Sequence, residues 1–302
     1  MNRIALAALA GVGVIVAGAA LAQQAPNFAA VQIKTTDLGH NTWMLEGQGG
    51  NMVVAAGKDG AILVDTEFAP LHDKIEAAIK GVTDQPVRYV VITHYHGDHT
   101  GGILPFWREG ATIVAQQNVN KRLSEGVTNA LTGVKTPVVG RGGQADKTYA
   151  ETLTVAVKGR TARLTHMPKA HTDGDTAIYF PDANVLAAGD IVSTGARYPN
   201  IDVAAGGNIN GIIAAVDAYI KRSNDKTKIV PGHGAMMDRA GLKEYRALLA
   251  DARDRVAKLI KEGKTEDEVV TAKPITDLQA KAGANDMASA NFERLIYRSL
   301  KG

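Results

Sequence analysis

The chain has 302 residues and contains no cysteine, which excludes disulfide bonds and thiolate metal ligands. Aromatic residues make up only 5% of the sequence, and no basic patch with interleaved aromatic residues is present. The formal net charge is only +3, which argues against a nucleic-acid partner. Stability must therefore come from packing and from any bound metal, and 45% hydrophobic residues are enough for a substantial core.

The first 22 residues have the features of a secretory signal peptide. A short start that includes Arg3 precedes the apolar stretch 4–20, and Ala20-Leu21-Ala22 is a small-X-small cleavage pattern. We therefore expect 1–22 to be removed and the mature protein to be periplasmic or secreted, without a stable membrane anchor. Loss of Arg3, the one charged residue in this segment, would lower the net charge from +3 to +2. The alternative is an uncleaved anchor, although the stretch is short and rich in Ala and Gly for a membrane span.

The densest group of metal-ligating residue types directly follows the apolar segment 90–92, which predicts a buried strand. Within six positions this group contains His94, His96, Asp98 and His99. In an extended segment residues i and i+2 face the same way, so the first two histidines can present their imidazoles to one metal ion. A turn into a helix would direct the last two residues toward a second ion, about 3.5–4 Å away. The alternative is a solvated polar turn, which is disfavoured because the whole chain has only eight histidines.

The pattern His-X-His-X-Asp-His at 94–99 resembles the signature of the metallo-β-lactamase fold superfamily of zinc hydrolases. The resemblance covers roughly 31–238 and implies an α/β (α+β) fold, namely a four-layer αβ/βα sandwich. It also implies two Zn²⁺ ions, the first held by His94, His96 and His171 and the second by Asp98, His99 and His233, with Asp190 bridging them.

The sequence context of the downstream positions agrees with ligands at the ends of strands. His171 lies in the turn-rich segment 170–176, Asp190 ends an apolar segment, and His233 follows a tight glycine turn. The alternatives are an exposed loop histidine at 171 and an N-cap or turn residue at 190. Asp65 matches the early acidic position of the family, and we expect it to accept a hydrogen bond from a ligand imidazole or from the 94–99 backbone. Its alternative role is that of a turn residue at the end of a strand.

The order of the predicted elements favours one domain, 23–302, built from two blocks that are each strand-rich and then helical. Strands are predicted at 31–34, 42–45, 52–55, 61–65, 88–93, 111–115, 153–157, 162–166, 176–180, 185–188 and 228–230, and helices at 71–79, 118–125, 209–220, 239–262, 266–272 and 289–300. Residues 239–302 form a helical C-terminal extension, which we expect to pack on the domain or to form a contact in a homo-oligomer.

The resemblance implies a dinuclear zinc metallo-hydrolase that attacks its substrate with a metal-bridging hydroxide. Asp98 is the expected catalytic residue, which would orient the nucleophile and carry a proton to the leaving group. A serine or cysteine nucleophile is not required, and the sequence has no Gly-X-Ser-X-Gly elbow. Imidazole and carboxylate ligands suit zinc, but the sequence does not decide between zinc, iron and manganese.

The favoured substrate is a small ester, lactone or amide. Export disfavours RNA processing and glutathione thioesters, and the chain has no flavin-binding domain for oxygen reduction. The first alternative is an atypical β-lactamase, in which Asn208 and Arg197 would contact the substrate, although Asn208 could equally be an ordinary N-cap and Asp190 stands where lactamases commonly carry Cys or Ser. The second alternative is a metal-binding module without turnover, although a structural zinc site would be closed by four ligands.

Overall fold

A computed structural model describes residues 27–195 and 197–302. The predicted signal peptide lies outside these residues. Across the described ranges, no helix combines the length and the apolar character needed to cross a bilayer.

The strands of the described residues form two sheets. The first sheet contains, in the order in which its strands are hydrogen bonded, β1 (Lys34–Gly39), β2 (Thr42–Glu46), β3 (Met52–Ala56), β4 (Ala61–Val64), β5 (Val87–Val91), β6 (Thr112–Gln116) and β7 (Lys147–Tyr149). The second contains, also in spatial order, β8 (Thr152–Val157), β9 (Arg160–Met167), β10 (Asp175–Phe180), β11 (Val185–Ala187) and β12 (Lys228–Val230). Strands β1 to β4 pair antiparallel and β4 to β7 parallel. In the second sheet β8 to β11 pair antiparallel, and β12 joins β11 in parallel.

Helices cover the outer faces of the sheets. They are α1 (His72–Lys80), α2 (Gly97–Thr100), α3 (Ile103–Arg108), α4 (Gln117–Glu125), α5 (Ile209–Arg222), α6 (Arg239–Lys261), α7 (Glu266–Ala272), α8 (Gln279–Ala282) and α9 (Asp286–Lys301).

Apolar side chains fill three layers between these elements, and β4 shows why. All four of its residues are buried. Ile62 and Val64 belong to the core between the two sheets, whereas Ala61 and Leu63 belong to the core under the outer helices. Successive side chains of a strand point to opposite faces, so a strand covered on both faces is apolar throughout. This packing confirms the predicted four-layer αβ/βα sandwich.

The C-terminal helices share one core with the second sheet. Leu249 of α6 and Ile296 of α9 are fully buried in the same apolar cluster as Leu186 of β11 and Ile213 of α5. Helix α7 begins with a capping box, in which Thr265 and Glu268 each accept a hydrogen bond from the other's backbone amide. The extension therefore packs on the domain, which is one of the two arrangements that the sequence left open.

The strand predicted at 31–34 is wrong, because the first strand begins only at Lys34. Residues Phe28–Ala30 form a short 3₁₀ helix. The ammonium group of Lys74 donates to the carbonyl oxygens of Phe28, Ala29 and Val31 at 3.0, 2.7 and 2.7 Å. Successive carbonyl groups of an extended strand point to opposite sides, so the carbonyl groups of Phe28 and Ala29 can converge on one cation only in a turn such as this 3₁₀ helix. A contact with Lys74 leaves no local pattern in the sequence.

Three short elements, α3, β7 and the four-residue helix α8, were not predicted at all. Helix α3 has only six residues and includes Pro105, and β7 has three residues, two of them exposed. Elements of this length do not complete an apolar period that a sequence pattern can reveal.

The shared core predicts a measurable cost when Ile296 is shortened. Ile296→Ala should lower the free energy of unfolding by about 2–5 kcal/mol, because it leaves a cavity in the core that α9 shares with α5 and α6. Urea denaturation followed by circular dichroism measures the change. The control is Met287→Ala on the same helix, where the side chain is 73% exposed and the expected change is within about 0.5 kcal/mol. Equal, small effects of both substitutions would mean that α9 does not share this core.

Candidate metal centre

The candidate metal residues lie at one edge of the sandwich because of the strand directions. Strands β9 and β11 are both antiparallel to β10, and β12 is parallel to β11. The carboxyl ends of β9, β11 and β12 therefore point the same way, and His171, Asp190 and His233 each follow one of these ends. From the first sheet, the chain leaving β5 supplies His94 and His96, and the short helix α2 supplies the remaining two residues.

One group of donors contains His94, His96, His171 and Asp190, whose ligand atoms all lie within 4.8 Å of one another. The His96 Nδ1 and His171 Nε2 atoms are 3.0 Å apart. Asp190 Oδ2 lies 3.9 Å from His94 Nε2 and 3.8 Å from His171 Nε2.

A second group contains Asp98, His99 and His233. Asp98 Oδ2 lies 3.1 Å from His233 Nε2 and 3.7 Å from His99 Nε2. Asp190 reaches this group as well, because its Oδ1 lies 3.1 Å from His99 Nε2 and its Oδ2 lies 3.4 Å from His233 Nε2. The structure thus brings the seven predicted ligands together, with Asp190 between the two groups.

The donor set fits metal ions. Four ligand atoms about 2.1 Å from a tetrahedral zinc ion are about 3.4 Å from one another, close to the observed distances. The buried atoms His94 Nε2, His99 Nε2 and Asp190 Oδ1 have no hydrogen-bond partner in the described structure, and buried polar atoms are rarely left without one. Binding of cations would satisfy these atoms, and metal analysis tests whether the seven residues act as ligands.

Hydrogen bonds fix which nitrogen of each imidazole faces the centre. His99 Nδ1 donates to Asp65 Oδ2 at 2.8 Å, and Asp65 also accepts from Thr93 N at 2.8 Å and from Thr93 Oγ1 at 2.7 Å. Because the Thr93 hydroxyl gives its hydrogen to Asp65, it accepts from His94 Nδ1, 3.0 Å away. Asp65 thus contacts the candidate ligand His99 and the backbone amide of Thr93, which directly precedes His94. When the Nδ1 atoms of His94 and His99 donate these hydrogen bonds, the Nε2 atoms of the neutral rings carry lone pairs that can bind a metal ion.

Asp202 is a site residue that the sequence did not reveal. Its Oδ2 accepts a hydrogen bond from His96 Nε2 at 2.9 Å and another from the Tyr95 hydroxyl. Nearby, the Asn200 carbonyl oxygen accepts from His171 Nδ1 at 2.8 Å. Burial alone would raise the pKa of Asp202, but the hydrogen bonds from His96 and Tyr95 lower it to about 2. Asp202 matches no motif, and its distance in sequence from His96 leaves no local signal for the contact.

Asn51 is the second residue that was missed, and it ties the His233 loop to the first sheet. Its side-chain Nδ2 donates to the carbonyl oxygens of Pro231 and Gly234, at 2.9 Å each, and its backbone amide donates to Gly232 O at 2.7 Å. The partners are about 180 residues away in the chain. Three bonds from one buried residue thus hold the backbone on both sides of His233.

Two glycines allow the chain to approach the centre closely. A Cβ atom at Gly50 would lie 2.1 Å from His99 Cε1, and one at Gly232 would lie 2.0 Å from Asp190 Oδ1. Both distances are far shorter than a van der Waals contact, so larger residues at these positions would displace the candidate ligands.

The two groups of imidazoles have opposite protonation tendencies. Burial is the main cause that lowers the pKa of His94 well below its usual value and that of His171 to about 4. Burial also disfavours a charge on His99 and His233, but Asp190 and a second carboxylate next to each ring outweigh it. The pKa of His99 is raised well above its usual value, and that of His233 is raised to about 9.

The two predicted substrate residues lie in different settings. Asn208 is the N-cap of α5, where its Oδ1 accepts from Asn210 N at 2.8 Å and its Nδ2 donates to Ser299 O at 2.5 Å. Both polar atoms are engaged within the protein, as the N-cap alternative expects, and the substrate role of Asn208 stays a prediction. Arg197 is exposed and lines a cavity next to the segment that follows Asp190.

The fold and this cluster define a class of protein, the αβ/βα sandwiches that hold metal ions at the strand ends. The sequence model of the metallo-beta-lactamase superfamily matches residues 45–233. The chain therefore belongs to the metallo-beta-lactamase superfamily, a superfamily of hydrolases.

Curated relatives with different names are similar to this chain. A linear primary-alkylsulfatase of Pseudomonas sp. (strain ATCC 19151) is 24% identical over 252 residues, 70% of this chain but 47% of the relative. A beta-lactamase-like protein 2 homolog of Caenorhabditis elegans is 24% identical over 277 residues, 88% of this chain and 83% of the relative. A metallo-beta-lactamase type 2 of Bacillus sp. (strain 170) is 26% identical over 194 residues, 63% of this chain and 68% of the relative. The chain thus spans about half the length of the alkylsulfatase.

Solved structures share the fold. A metallo-beta-lactamase from Pontibacter korlensis superposes with a TM-score of 0.60 at 22% identity and covers 73% of this chain and all of its own. A stereoselective inverting sec-alkylsulfatase from Pseudomonas sp. gives 0.68 at 15% identity over 88% of this chain and 50% of its own. This second match covers 88% of the 302 residues, which is more than the 238 residues that precede α6. It therefore extends into the C-terminal helices.

The opposite protonation tendencies predict that the two metal ions are lost at different pH. A metal must displace protons from His99 and His233, whose pKa values are raised, so the affinity of their group should fall as the pH decreases below about 9. The group that contains His171, with its pKa of about 4, should retain its metal. Dialysis against zinc and elemental analysis should give about two ions per chain near pH 8 and about one near pH 6. Simultaneous loss of both ions would contradict this order.

Asn51→Asp should weaken metal binding by the group that contains His233. The change removes both side-chain donors to the His233 loop, and loss of such outer support typically lowers metal affinity about 10- to 100-fold. Cobalt titration followed by absorption spectroscopy resolves the two binding steps. Asn120→Asp, which likewise removes a side-chain donor to a backbone carbonyl oxygen, that of Ala145, but does not contact the His233 loop, is the matched control. If both variants bind the second ion with unchanged affinity, Asn51 does not position this loop.

Proposed function

We propose that this chain is an exported, dinuclear zinc hydrolase of a small ester, lactone or amide. One observation carries the proposal. Asp190 lies between the two groups of imidazoles, with its carboxylate oxygens 3.1–3.9 Å from nitrogen atoms of both, as a carboxylate shared by two ions would be. The export part is supported by the signal-peptide features of 1–22, and the near-balanced charge favours a small-molecule substrate over nucleic acid.

A pair of bound metal ions would supply a water nucleophile near neutral pH and would polarise the oxygen of the bond under attack. The protein determines the side from which a substrate arrives. The side chains of His94, His99 and His171 are at most 1% exposed, whereas those of Asp98, His96 and His233 are 31%, 20% and 14% exposed. A substrate therefore approaches over Asp98, between His96 and His233.

Asp98 is placed to handle the proton of the attacking water. Burial alone would raise the pKa of Asp98, but the hydrogen bond from His233 and the positive charge of His99 lower it to about 2. The carboxylate is therefore ionised at neutral pH and can accept a hydrogen bond from water.

β-Lactams are the alternative substrate, and relatives named metallo-beta-lactamase support them. The hydrogen bonds of Asn208 to Asn210 N and Ser299 O give less support to this alternative, because they engage one of the two residues that were expected to hold such a substrate. An alkyl sulfate is a further ester to test, because a relative is named an alkylsulfatase.

Asp98→Asn should lower kcat by about 10²- to 10⁴-fold, because the amide cannot accept the proton of the attacking water. Steady-state hydrolysis of the best substrate measures the loss, and far-UV circular dichroism shows whether the fold persists. Asp84→Asn, at an exposed position, is the matched control. His96→Ala should cause a similar loss together with loss of metal. Near-wild-type rates with unchanged zinc content in these variants would refute the proposed centre.

A substrate panel separates the candidate functions. Nitrocefin, a lactone, a p-nitrophenyl ester, bis-p-nitrophenyl phosphate and an alkyl sulfate should be tested with and without a chelator, together with metal analysis. Chelator-sensitive hydrolysis of the esters or lactone supports the proposal, and preference for nitrocefin supports a β-lactamase. Metal without turnover of any compound indicates a binding module.

A further inference from the structure

Glu67 is a buried glutamate that the metal motif does not account for. It follows Asp65 and Thr66 after β4, it is fully buried, and its φ angle is +48°. A glutamate is rarely fully buried without a partner, and a positive φ is uncommon for a residue other than glycine. Residues held in such conformations cluster at functional sites, where the surrounding structure fixes them.

The side chain of Glu67 contacts the loop between β2 and β3, residues 47–50, which we call the glycine loop. Gln48 N donates to Glu67 Oε2 at 3.0 Å. A Cβ atom at Gly47 would lie 2.6 Å from Glu67 Oε1, and one at Gly49 would lie 3.2 Å from Glu67 Cγ. The glycines therefore let the backbone of the loop pass close to the carboxyl group. Burial raises the pKa of Glu67, and the backbone amides of the loop oppose this shift.

The other end of the glycine loop contacts two of the candidate metal ligands. Gly50 N donates to Asp98 O at 3.0 Å. A Cβ atom at Gly49 would lie 2.6 Å from the same oxygen, and the Gly50 backbone lies against the ring of His99. Both ligands belong to the group that contains His233. The loop thus connects the Glu67 carboxyl group to the backbone of α2.

The backbone next to Glu67 also holds α2 directly. Gly102 N donates to Glu67 O at 2.9 Å, and Thr66 donates to His99 O through its amide at 2.9 Å and its hydroxyl at 3.0 Å. The contacts form a closed circuit that runs from Glu67 through the glycine loop to Asp98, along α2, and back to Glu67. Glu67 is the residue where the direct support of α2 and the support through the loop meet.

We propose that Glu67 is a positioning residue of the metal centre, which holds the glycine loop against Asp98 and His99. The proposal rests on the metal-binding part of the proposed function. Glu67 is not one of the clustered candidate ligands, so it acts through the backbone of the loop. When its carboxyl group is lost, the loop is released at Gln48, and the hydrogen bond from Gly50 N to Asp98 O weakens with it.

Hydrogen exchange tests the contact without requiring turnover. Glu67→Met removes the acceptor and keeps a side chain of similar length, whereas Glu67→Gln keeps an oxygen that can accept from Gln48 N. In the full chain, both zinc-loaded and after chelation, Glu67→Met should speed exchange of the Gly50 amide about two- to tenfold, as loss of one hydrogen bond would. Glu67→Gln should leave this rate close to that of the wild type. Nuclear magnetic resonance measures the rate at Gly50, and unchanged rates in α9 show that the fold persists.

The matched control is Glu293→Met, the same change at another buried glutamate. Glu293 is 1% exposed, and its Oε1 accepts from Ile275 N at 3.4 Å on the C-terminal side of the molecule. Removal of this carboxyl group should leave exchange at Gly50 unchanged. The control separates loss of any buried carboxyl group from loss of the contact with the glycine loop.

Cobalt titration tests the consequence for the metal centre. Glu67→Met should weaken the second binding step about 10- to 100-fold, as loss of outer support typically does, and leave the first step unchanged. Glu67→Gln and Glu293→Met should leave both steps close to those of the wild type.

Three results would overturn the proposal. They are unchanged exchange at Gly50 in Glu67→Met, equal effects of Glu67→Met and Glu67→Gln, and equal weakening of both cobalt steps. A wild-type protein that binds two cobalt ions but hydrolyses no compound of the panel would refute the proposed hydrolase function and leave the role of Glu67 standing. Turnover with an unchanged second step in Glu67→Met would do the reverse.

Discussion

The shared position of Asp190 is the constraint on which the rest of the centre depends. A carboxylate that is buried among imidazoles is stable only when positive charge surrounds it. Without metal that charge comes from protons on His99 and His233, whose pKa values are raised by Asp190 and by the carboxylate next to each ring. Metal ions can take the place of these protons, so metal binding, local protonation and the stability of the strand ends are coupled.

Hydrogen bonds from residues around the candidate ligands hold this arrangement in two different ways. Asp65 and Thr93 act within the first sheet, where they orient His94 and His99. Asn51 and Asp202 act between elements that are far apart in the chain, because they fix the His233 loop and His96. The centre is therefore supported from both halves of the sandwich, so packing of the two sheets against each other is part of the site.

The C-terminal helices give the common fold an additional surface. Their apolar faces complete the core outside the second sheet, and α6 and α8 line the cavity next to the segment that follows Asp190. The superposition on the sec-alkylsulfatase extends into this region. Differences in substrate within this fold can thus arise from elements outside the metal motifs.

The sequence by itself determined the metal motif and most of the elements, because ligands near strand ends and apolar periods are local patterns that a single chain displays. It indicated His94 to His99 and most of the strands, and the resemblance to a known family implied the role of Asp65. Only the tertiary structure decided that Asn51 and Asp202 support the centre and that Asn208 caps a helix. It also showed the cavity at Arg197. These features depend on contacts between residues far apart in the chain, and no local spacing specifies such contacts.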